Sequence, residues 1–136
     1  ARTRAFSTAP RSSGSDLAVD RRSRTFLPRA PTTCMDRLPD VTPEPGTIET
    51  RELVVDDDAL VKAFFLGPGA ELDTHDHPDS LNVFHVLAGT VTVIQADEEA
   101  EIVAPGVVKH DRGVAHGARN DTDETAVFTA TLAPLP

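Results

Sequence analysis

The sequence contains little of the side-chain chemistry that stabilises secreted proteins or supports nucleophilic catalysis. Its 136 residues include no Trp, no Tyr, one Cys and one Met. The single cysteine, Cys34, excludes an intramolecular disulfide, and residues 35–136 therefore offer no thiolate ligand to a metal. Because tyrosine is also absent, catalysis in this region would have to rely on a bound metal and its water.

Long apolar runs are absent as well. No stretch approaches the roughly 20 apolar residues that a transmembrane helix needs. The apolar runs near the N-terminus are too short for the core of a secretion signal, so the sequence does not indicate export. We therefore expect a cytoplasmic protein.

Basic residues are scarce beyond residue 34. Residues 1–34 contain seven Arg and two Asp, a balance of +5, whereas residues 35–136 contain 20 acidic and six basic residues, a balance of −14. This negative charge argues against nucleic acid and anionic membranes as partners. It suits a cytoplasm with high salt, in which charge repulsion is screened. We expect a halophilic source, an ordinary acidic surface being the alternative.

Residues 1–34 are rich in Arg, Ser, Thr, Pro and Ala, and we expect them to form a disordered basic extension. A transit peptide has a similar composition and is a second interpretation. A third interpretation, which we favour, is that translation begins at Met35 and that the upstream stretch is not native. Mass spectrometry of the native protein would refute this hypothesis if it found a peptide containing Arg21 and Arg22.

Short strand-like segments make up the rest of the chain. Residues 35–45 contain several prolines and are expected to form an irregular lead-in. Residues 46–133 show no 3.6-residue period, and turn residues recur every eight to twelve positions, which predicts an antiparallel sandwich or barrel. The predicted strands cover residues 47–55, 60–66, 70–75, 82–87, 90–95, 100–104, 107–110, 114–118 and 125–132.

Three histidines are the strongest candidates for a functional site. His75 and His77 are two residues apart, so that in a strand both side chains point to the same face. His116 follows 39 residues after His77. Neutral imidazoles suit transition metals better than Mg or Ca, and three of them leave an open coordination position. The alternative is that the pair belongs to a polar surface loop.

The spacing around these histidines is similar to that of the cupin superfamily. The stretch GAELDTHDHPDSLNVFHVLAG matches the first cupin motif at Gly69, His75, His77 and Gly89, and it has Asn82 where the motif has glutamate.

A second cupin motif is matched more loosely. The matching residues are Gly113, His116 and Asn120, with Asp111 in place of the usual proline and Pro105-Gly106 at the turn that opens the motif. The resemblance covers about residues 46–133.

The resemblance implies an all-β fold, the double-stranded β-helix or jelly-roll barrel, with a divalent transition metal inside. The implied ligands are His75, His77 and His116, with Asn82 at the glutamate position, and the metal is Fe, Zn, Ni, Cu or Mn. It also implies a small-molecule ligand in the barrel and, often, a homodimer. Family activities range from dioxygenases, isomerases and decarboxylases to storage proteins and sensors, so the fold does not give the reaction.

Two functions remain open at this point. The first is a metal-binding cupin that oxidises or isomerises a small acid or sugar. The second is a non-catalytic binding or sensing module that has lost full metal coordination, which the replacement of glutamate by Asn82 favours. For Asn82 itself three roles remain open: weak ligation through its oxygen, a hydrogen bond to a metal-bound water, or neither.

Other polar and aromatic residues are given structural roles. His85 is three residues after Asn82 and is expected on the opposite strand face as a satisfied or packing histidine. His110 is likewise expected to pack rather than to ligate. Arg112 and Arg119 are expected to balance surface charge, and Asn120 to stabilise a turn. The predicted core aromatics are Phe64, Phe65, Phe84 and Phe128, and the predicted turn glycines are Gly69, Gly89 and Gly113.

Overall fold

A computed structural model describes residues 37–135, which form nine β-strands and no α-helix. Within that range no helix is present that could cross a membrane. The predicted disordered extension and the predicted start at Met35 lie outside the described residues. The strands are β1 (Ile48–Val55), β2 (Leu60–Leu66), β3 (Glu71–His75), β4 (Leu81–Ala88), β5 (Thr90–Gln95), β6 (Glu98–Val103), β7 (Gly106–His110), β8 (His116–Arg119) and β9 (Ala126–Ala133).

The strands form two antiparallel sheets. The first contains five strands in the order β1-β2-β9-β4-β7, and the second contains four in the order β3-β8-β5-β6. Successive strands repeatedly change sheet, as from β3 to β4 and from β4 to β5. Apart from the pairs β1-β2 and β5-β6, neighbours within a sheet are therefore distant in the sequence. The predicted all-β jelly-roll fold is confirmed.

The core joins the inner faces of both sheets. Phe84 and Phe128 from the first sheet and Val91 and Val93 from the second belong to one cluster of buried side chains. Phe64, half-buried, stacks on Phe128 with ring centroids 5.0 Å apart. The four predicted aromatic residues are therefore core residues, three of them fully buried (Phe65, Phe84 and Phe128).

The acidic hairpin between β5 and β6 has a shorter tip than the sequence predicts. The prediction placed the tip at residues 96–99 and the returning strand at residues 100–104. In the structure β6 begins at Glu98, which pairs with Gln95, and Ala96 adopts a positive φ of 53° in the turn. Glu98 and Glu99 tolerate strand geometry because their side chains are exposed. The three predicted turn glycines all have positive φ, as expected.

Asn120 stabilises more than its own turn. Its Oδ1 accepts hydrogen bonds from the backbone N–H and the hydroxyl of Thr122, at 2.9 and 2.7 Å, as a turn residue does. Its buried Nδ2 also donates to the carbonyls of Leu66, Gly67 and Glu124. The side chain thus joins the end of β2 to the loop after β8, the strand that begins with His116.

Candidate metal centre

The three predicted histidines come from two neighbouring strand ends. His75 is the last residue of β3 and pairs with His116, the first residue of β8. His77 lies beyond the end of β3, so strand alternation does not explain its position. Instead, the backbone N–H of Gly113 donates to the carbonyl of His77 at 3.0 Å, which holds this loop against the turn before β8.

The three imidazole rings lie close to one another. Their centroids are 5.0 Å apart for His75 and His77, 4.7 Å for His75 and His116, and 5.5 Å for His77 and His116. One ring nitrogen of each lies within 4.8 Å of the others, so the three could hold a metal ion. We refer to His75, His77 and His116 as the histidine trio.

Hydrogen bonds to the backbone orient two rings of the trio. Nδ1 of His75 donates to the carbonyl of Asp73 at 2.9 Å, and Nδ1 of His116 donates to the carbonyl of Val114 at 2.8 Å. In a neutral imidazole the second nitrogen then carries the lone pair. Both rings therefore present Nε2 as the metal-binding atom. Metal-bound histidines generally donate from their other nitrogen to a carbonyl or carboxylate, as Nδ1 does here.

Burial favours the neutral form of His77 and His116. It lowers the pKa of His77 and of His116, and the neighbouring His75 lowers both further. The bond to Val114 acts in the opposite direction on the pKa of His116, but burial dominates. Because only neutral imidazoles bind metals, these environments favour metal binding near neutral pH.

The donor set fits a transition metal after a modest contraction. Zn–N bonds of about 2.1 Å in a tetrahedral site place two donor nitrogens about 3.4 Å apart. The widest pair in the trio, at up to 4.8 Å, has to close by about 1.4 Å. His75 and His77 are only half-buried, whereas His116 is 1% exposed, so the two outer histidines would make most of this adjustment.

Asn82 contacts the trio through its amide nitrogen. The residue is 2% exposed, and its Nδ2 lies 2.9 Å from Nε2 of His116. Because Nδ1 of His116 already donates to Val114, Nε2 accepts a hydrogen from the amide. That lone pair is the one a metal needs, so Asn82 has to release His116 when a metal binds. Oδ1 of Asn82 is buried and has no hydrogen-bond partner among the described residues.

His110 is the site residue whose importance the sequence did not reveal. It packs, as predicted, but it packs on the trio: its ring stacks on His116 at 4.3 Å and meets Phe84 edge-on at 4.5 Å. It is fully buried, and burial lowers its pKa to about 4. Its proximity follows from the pairing of β7 with β4, which places His110 opposite Asn82. An alternating strand pattern alone does not reveal that pairing.

Of the remaining candidates, Arg119 has the expected role in charge balance, whereas His85 is exposed rather than packed and Arg112 bonds a backbone carbonyl. His85 is exposed on the opposite face of β4. Arg119 forms ion pairs with Glu99 at 3.0 Å and Asp121 at 2.8 Å, and these bonds lower the pKa of both carboxylates. Arg112 donates to the carbonyl of Asp79 at 3.2 Å, in the loop that follows His77.

Comparison with known proteins agrees with this geometry. The family model for the cupin domain matches residues 64–132, a range that includes the whole trio. No curated protein matches the sequence.

Several solved structures share the fold. The TT1209 protein of Thermus thermophilus is 27% identical with a TM-score of 0.64, over 68% of this chain and 89% of that one. A Klebsiella pneumoniae protein with a double-stranded β-helix domain is 25% identical with a TM-score of 0.64, over 69% and 83% of the two chains. A predicted oxalate decarboxylase of Thermotoga maritima is 22% identical with a TM-score of 0.62, over 65% and 81%.

Proposed function

The chain belongs to the cupin family, and from this premise we propose that it binds a divalent transition metal through His75, His77 and His116. We further propose that the metal-loaded barrel oxidises or isomerises a small acid or sugar. The observation that supports this proposal is the convergence of three imidazole nitrogens within 4.8 Å. The metal is one of Fe, Zn, Ni, Cu or Mn.

The protein's contribution is to orient the imidazoles and to leave the metal charge uncompensated. A divalent metal in such a site supplies a Lewis acid and an open coordination position. The backbone carbonyls of Asp73 and Val114 hold two rings in the tautomer that binds through Nε2. Asn82 is neutral where cupins generally have a glutamate, so the site retains a charge of +2 and favours an anionic ligand.

A non-catalytic binding or sensing module is the second candidate. It is favoured by the contact between Nδ2 of Asn82 and Nε2 of His116, because this hydrogen bond competes with a metal for the same lone pair. A protein of this kind would bind its small ligand in the barrel without turning it over.

Metal titration of purified, chelator-treated protein tests the proposal. We expect one transition-metal ion per chain by isothermal titration calorimetry, and a loss of affinity of at least about tenfold in His75→Ala and His116→Ala. The matched control is His85→Ala, which removes an exposed histidine from the outer face of β4 and should leave the affinity unchanged. Equal affinities in all four proteins would contradict the proposal.

Oxygen uptake and product analysis separate the two candidate functions. The metal-loaded protein is incubated with small acids, sugars, thiols and phenolic acids. Consumption of oxygen or isomerisation of one compound supports the enzyme. A protein that binds no metal but is stabilised against heat by a small ligand supports the binding module.

We propose three further properties that follow from the sequence. The barrel comprises residues 46–133, the protein is cytoplasmic, and it forms a homodimer. Sedimentation equilibrium tests the last of these, because a mass of one chain at micromolar concentration would exclude a stable dimer.

A further inference from the structure

His116 is contacted from the opposite sheet at two different places. It belongs to β8 of the second sheet, whereas Asn82 and His110 belong to β4 and β7 of the first. Asn82 contacts Nε2, the atom that a metal needs. His110 contacts the face of the ring, with centroids 4.3 Å apart and ring planes inclined by 12°. A metal at the trio therefore displaces the first contact and leaves the second in place.

The stack on His110 uses no atom of His116 that a metal takes. Nδ1 of His116 is bonded to the carbonyl of Val114 at 2.8 Å, and the face of the ring lies against His110. Both contacts persist after Asn82 has released Nε2, and together they orient the ring in the metal-loaded protein. The orientation of a ligating imidazole determines the direction in which its lone pair points, and such supporting contacts tune metal affinity.

His110 can orient a neighbouring ring only if its own ring is fixed. It is 0% exposed, and Phe84 meets it edge-on at 4.5 Å. The χ2 torsion of histidine has a broad intrinsic distribution, however, so the side chain by itself does not select one ring plane. A hydrogen bond adds the directional restraint, because Nε2 of Gln95 lies 2.9 Å from Nδ1 of His110.

Gln95 reaches His110 from the other sheet. It is the last residue of β5, in the second sheet. Its Nε2 also donates to the carbonyl of Lys109 at 2.8 Å, which identifies this end of the amide as the nitrogen. The second hydrogen therefore goes to Nδ1 of His110, and the neutral ring carries its own hydrogen on Nε2. In this tautomer His110 has no free lone pair, so it supports the trio without competing for the metal.

We propose that Gln95 and His110 are positioning residues for the metal centre. Gln95 fixes the ring of His110, and His110 fixes the ring plane of His116 while a metal is bound. Neither residue is a ligand, yet both control how tightly the trio binds its metal. This inference rests on the proposed function, because it concerns metal binding by the trio.

Zinc titration of chelator-treated protein tests the inference with two variants. Gln95→Leu removes the donor, and His110→Phe keeps an aromatic ring against His116 but removes the acceptor. We expect each variant to bind zinc at least about fivefold more weakly than the wild type, the effect of losing one hydrogen bond. The visible spectrum of the cobalt-loaded protein should also change in both, because it reports the coordination geometry.

Two controls remove comparable groups outside this network. Thr92→Val removes a hydrogen bond to Asp121 on the outer face of β5, and His85→Phe replaces the exposed histidine of β4. Both should match the wild type in zinc affinity and in the cobalt spectrum. A change in either control as large as that in Gln95→Leu would overturn the inference and attribute the effect to a general loss of stability.

The double variant distinguishes a shared role from two independent ones. Gln95 is paired with His116 in register, so a direct effect on His116 has to be separated from one that acts through His110. If Gln95 acts through His110, the double variant loses no more affinity than the more strongly affected single variant. Losses that multiply, or an unchanged zinc affinity in Gln95→Leu, would overturn the inference.

Gln95→Leu alone decides the outcome if His110→Phe fails to fold. A lowered zinc affinity together with a second tautomer of His110, detected by its ¹⁵N resonances, supports the inference, and a single unchanged tautomer overturns it.

A wild type that binds no zinc refutes the proposed function instead. The orientation of His116 is then measured in zinc-free Asn82→Ala, which lacks the other contact from the first sheet. A shift of the ¹⁵N resonances of His116 when Gln95→Leu is added supports the positioning role, and unchanged resonances overturn it.

Discussion

At the scale of single residues, His116 links the trio to its neighbours: Nδ2 of Asn82 lies 2.9 Å from its Nε2, and the ring of His110 stacks on it at 4.3 Å. His75, His77 and His116 were recognisable from motif spacing, and the structure brings them together. The contact of Asn82 with His116 and the stacking of His110 on the same ring depend on which strands pair. Such contacts between distant residues are not encoded in local patterns, which explains why His110 was assigned a packing role only.

A carboxylate at position 82 should strengthen metal binding. In Asn82→Glu the side chain no longer donates to Nε2 of His116 and adds a negative charge beside the metal. We expect the affinity for Zn²⁺ or Fe²⁺ to rise at least about tenfold in calorimetric titration. The control is Asn82→Gln, because glutamine has the length of glutamate without its charge. Unchanged or weaker affinity in the glutamate variant would indicate that residue 82 does not reach the metal.

The buried histidines should make the metal-free protein less stable in mild acid. His110 has a pKa of about 4 in the folded protein, whereas in the unfolded chain the ring protonates below about pH 6.5. Only the unfolded state gains a proton between these values, so the free energy of unfolding falls as the pH is lowered from about 6.5 to 4. The lowered pKa values of His77 and His116 act in the same direction.

Urea denaturation at a series of pH values, in the presence of a chelator, measures this effect. The slope contributed by one histidine is at most about 1.4 kcal/mol per pH unit. His110→Phe should reduce the slope, whereas His85→Phe should not. A wild-type stability that is constant between pH 6.5 and 4 would contradict the burial of a neutral His110.

At the scale of strands and turns, local sequence was informative. All nine strands were predicted within a few residues, because alternating apolar residues and glycine or proline turns are local signals. The start of β6 was missed because Glu98 and Glu99 resemble a turn, although exposed strand positions accept acidic side chains. The role of Asn120 was predicted only in part. Its amide also donates to the carbonyls of Leu66 and Gly67, at the end of β2, and to the carbonyl of Glu124, at the far end of the loop after β8.

Asn120 should be one of the most sensitive polar positions in the fold. Asn120→Ala leaves the carbonyls of Leu66, Gly67 and Glu124 without its amide hydrogens, and we expect a loss of about 3 kcal/mol in the free energy of unfolding. Thr122→Val removes one hydroxyl from the same network and should cost about 1 kcal/mol. Equal stabilities of the two variants in urea denaturation would show that the buried amide does not join these segments.

At the scale of the whole molecule, the order of strands in the two sheets was beyond local patterns. Apart from the hairpin β1-β2, the arrangement β1-β2-β9-β4-β7 pairs strands that are distant in the sequence, and only the resemblance to cupins implied it. The acidic character of residues 35–136, by contrast, follows directly from composition. The halophilic source remains a prediction, which the dependence of the melting temperature on salt can test.

Salt should stabilise the protein. The net charge of −14 over residues 35–136 makes the acidic side chains repel one another. Salt screens this repulsion beyond about 10 Å at 0.1 M and beyond about 3 Å at 1 M. We therefore expect the melting temperature to rise between 0.1 and 1 M KCl and to change less above that range. A melting temperature that is constant or falls with KCl would contradict an adaptation to high salt.

X-ray absorption spectroscopy of the zinc-loaded protein tests the proposed metal centre most directly. It should detect three imidazole nitrogens at about 2.0–2.1 Å from the metal, and one fewer in His116→Ala, with His85→Ala unchanged. A spectrum without imidazole ligands, or one that is identical in His116→Ala and the wild type, would contradict metal binding by the histidine trio.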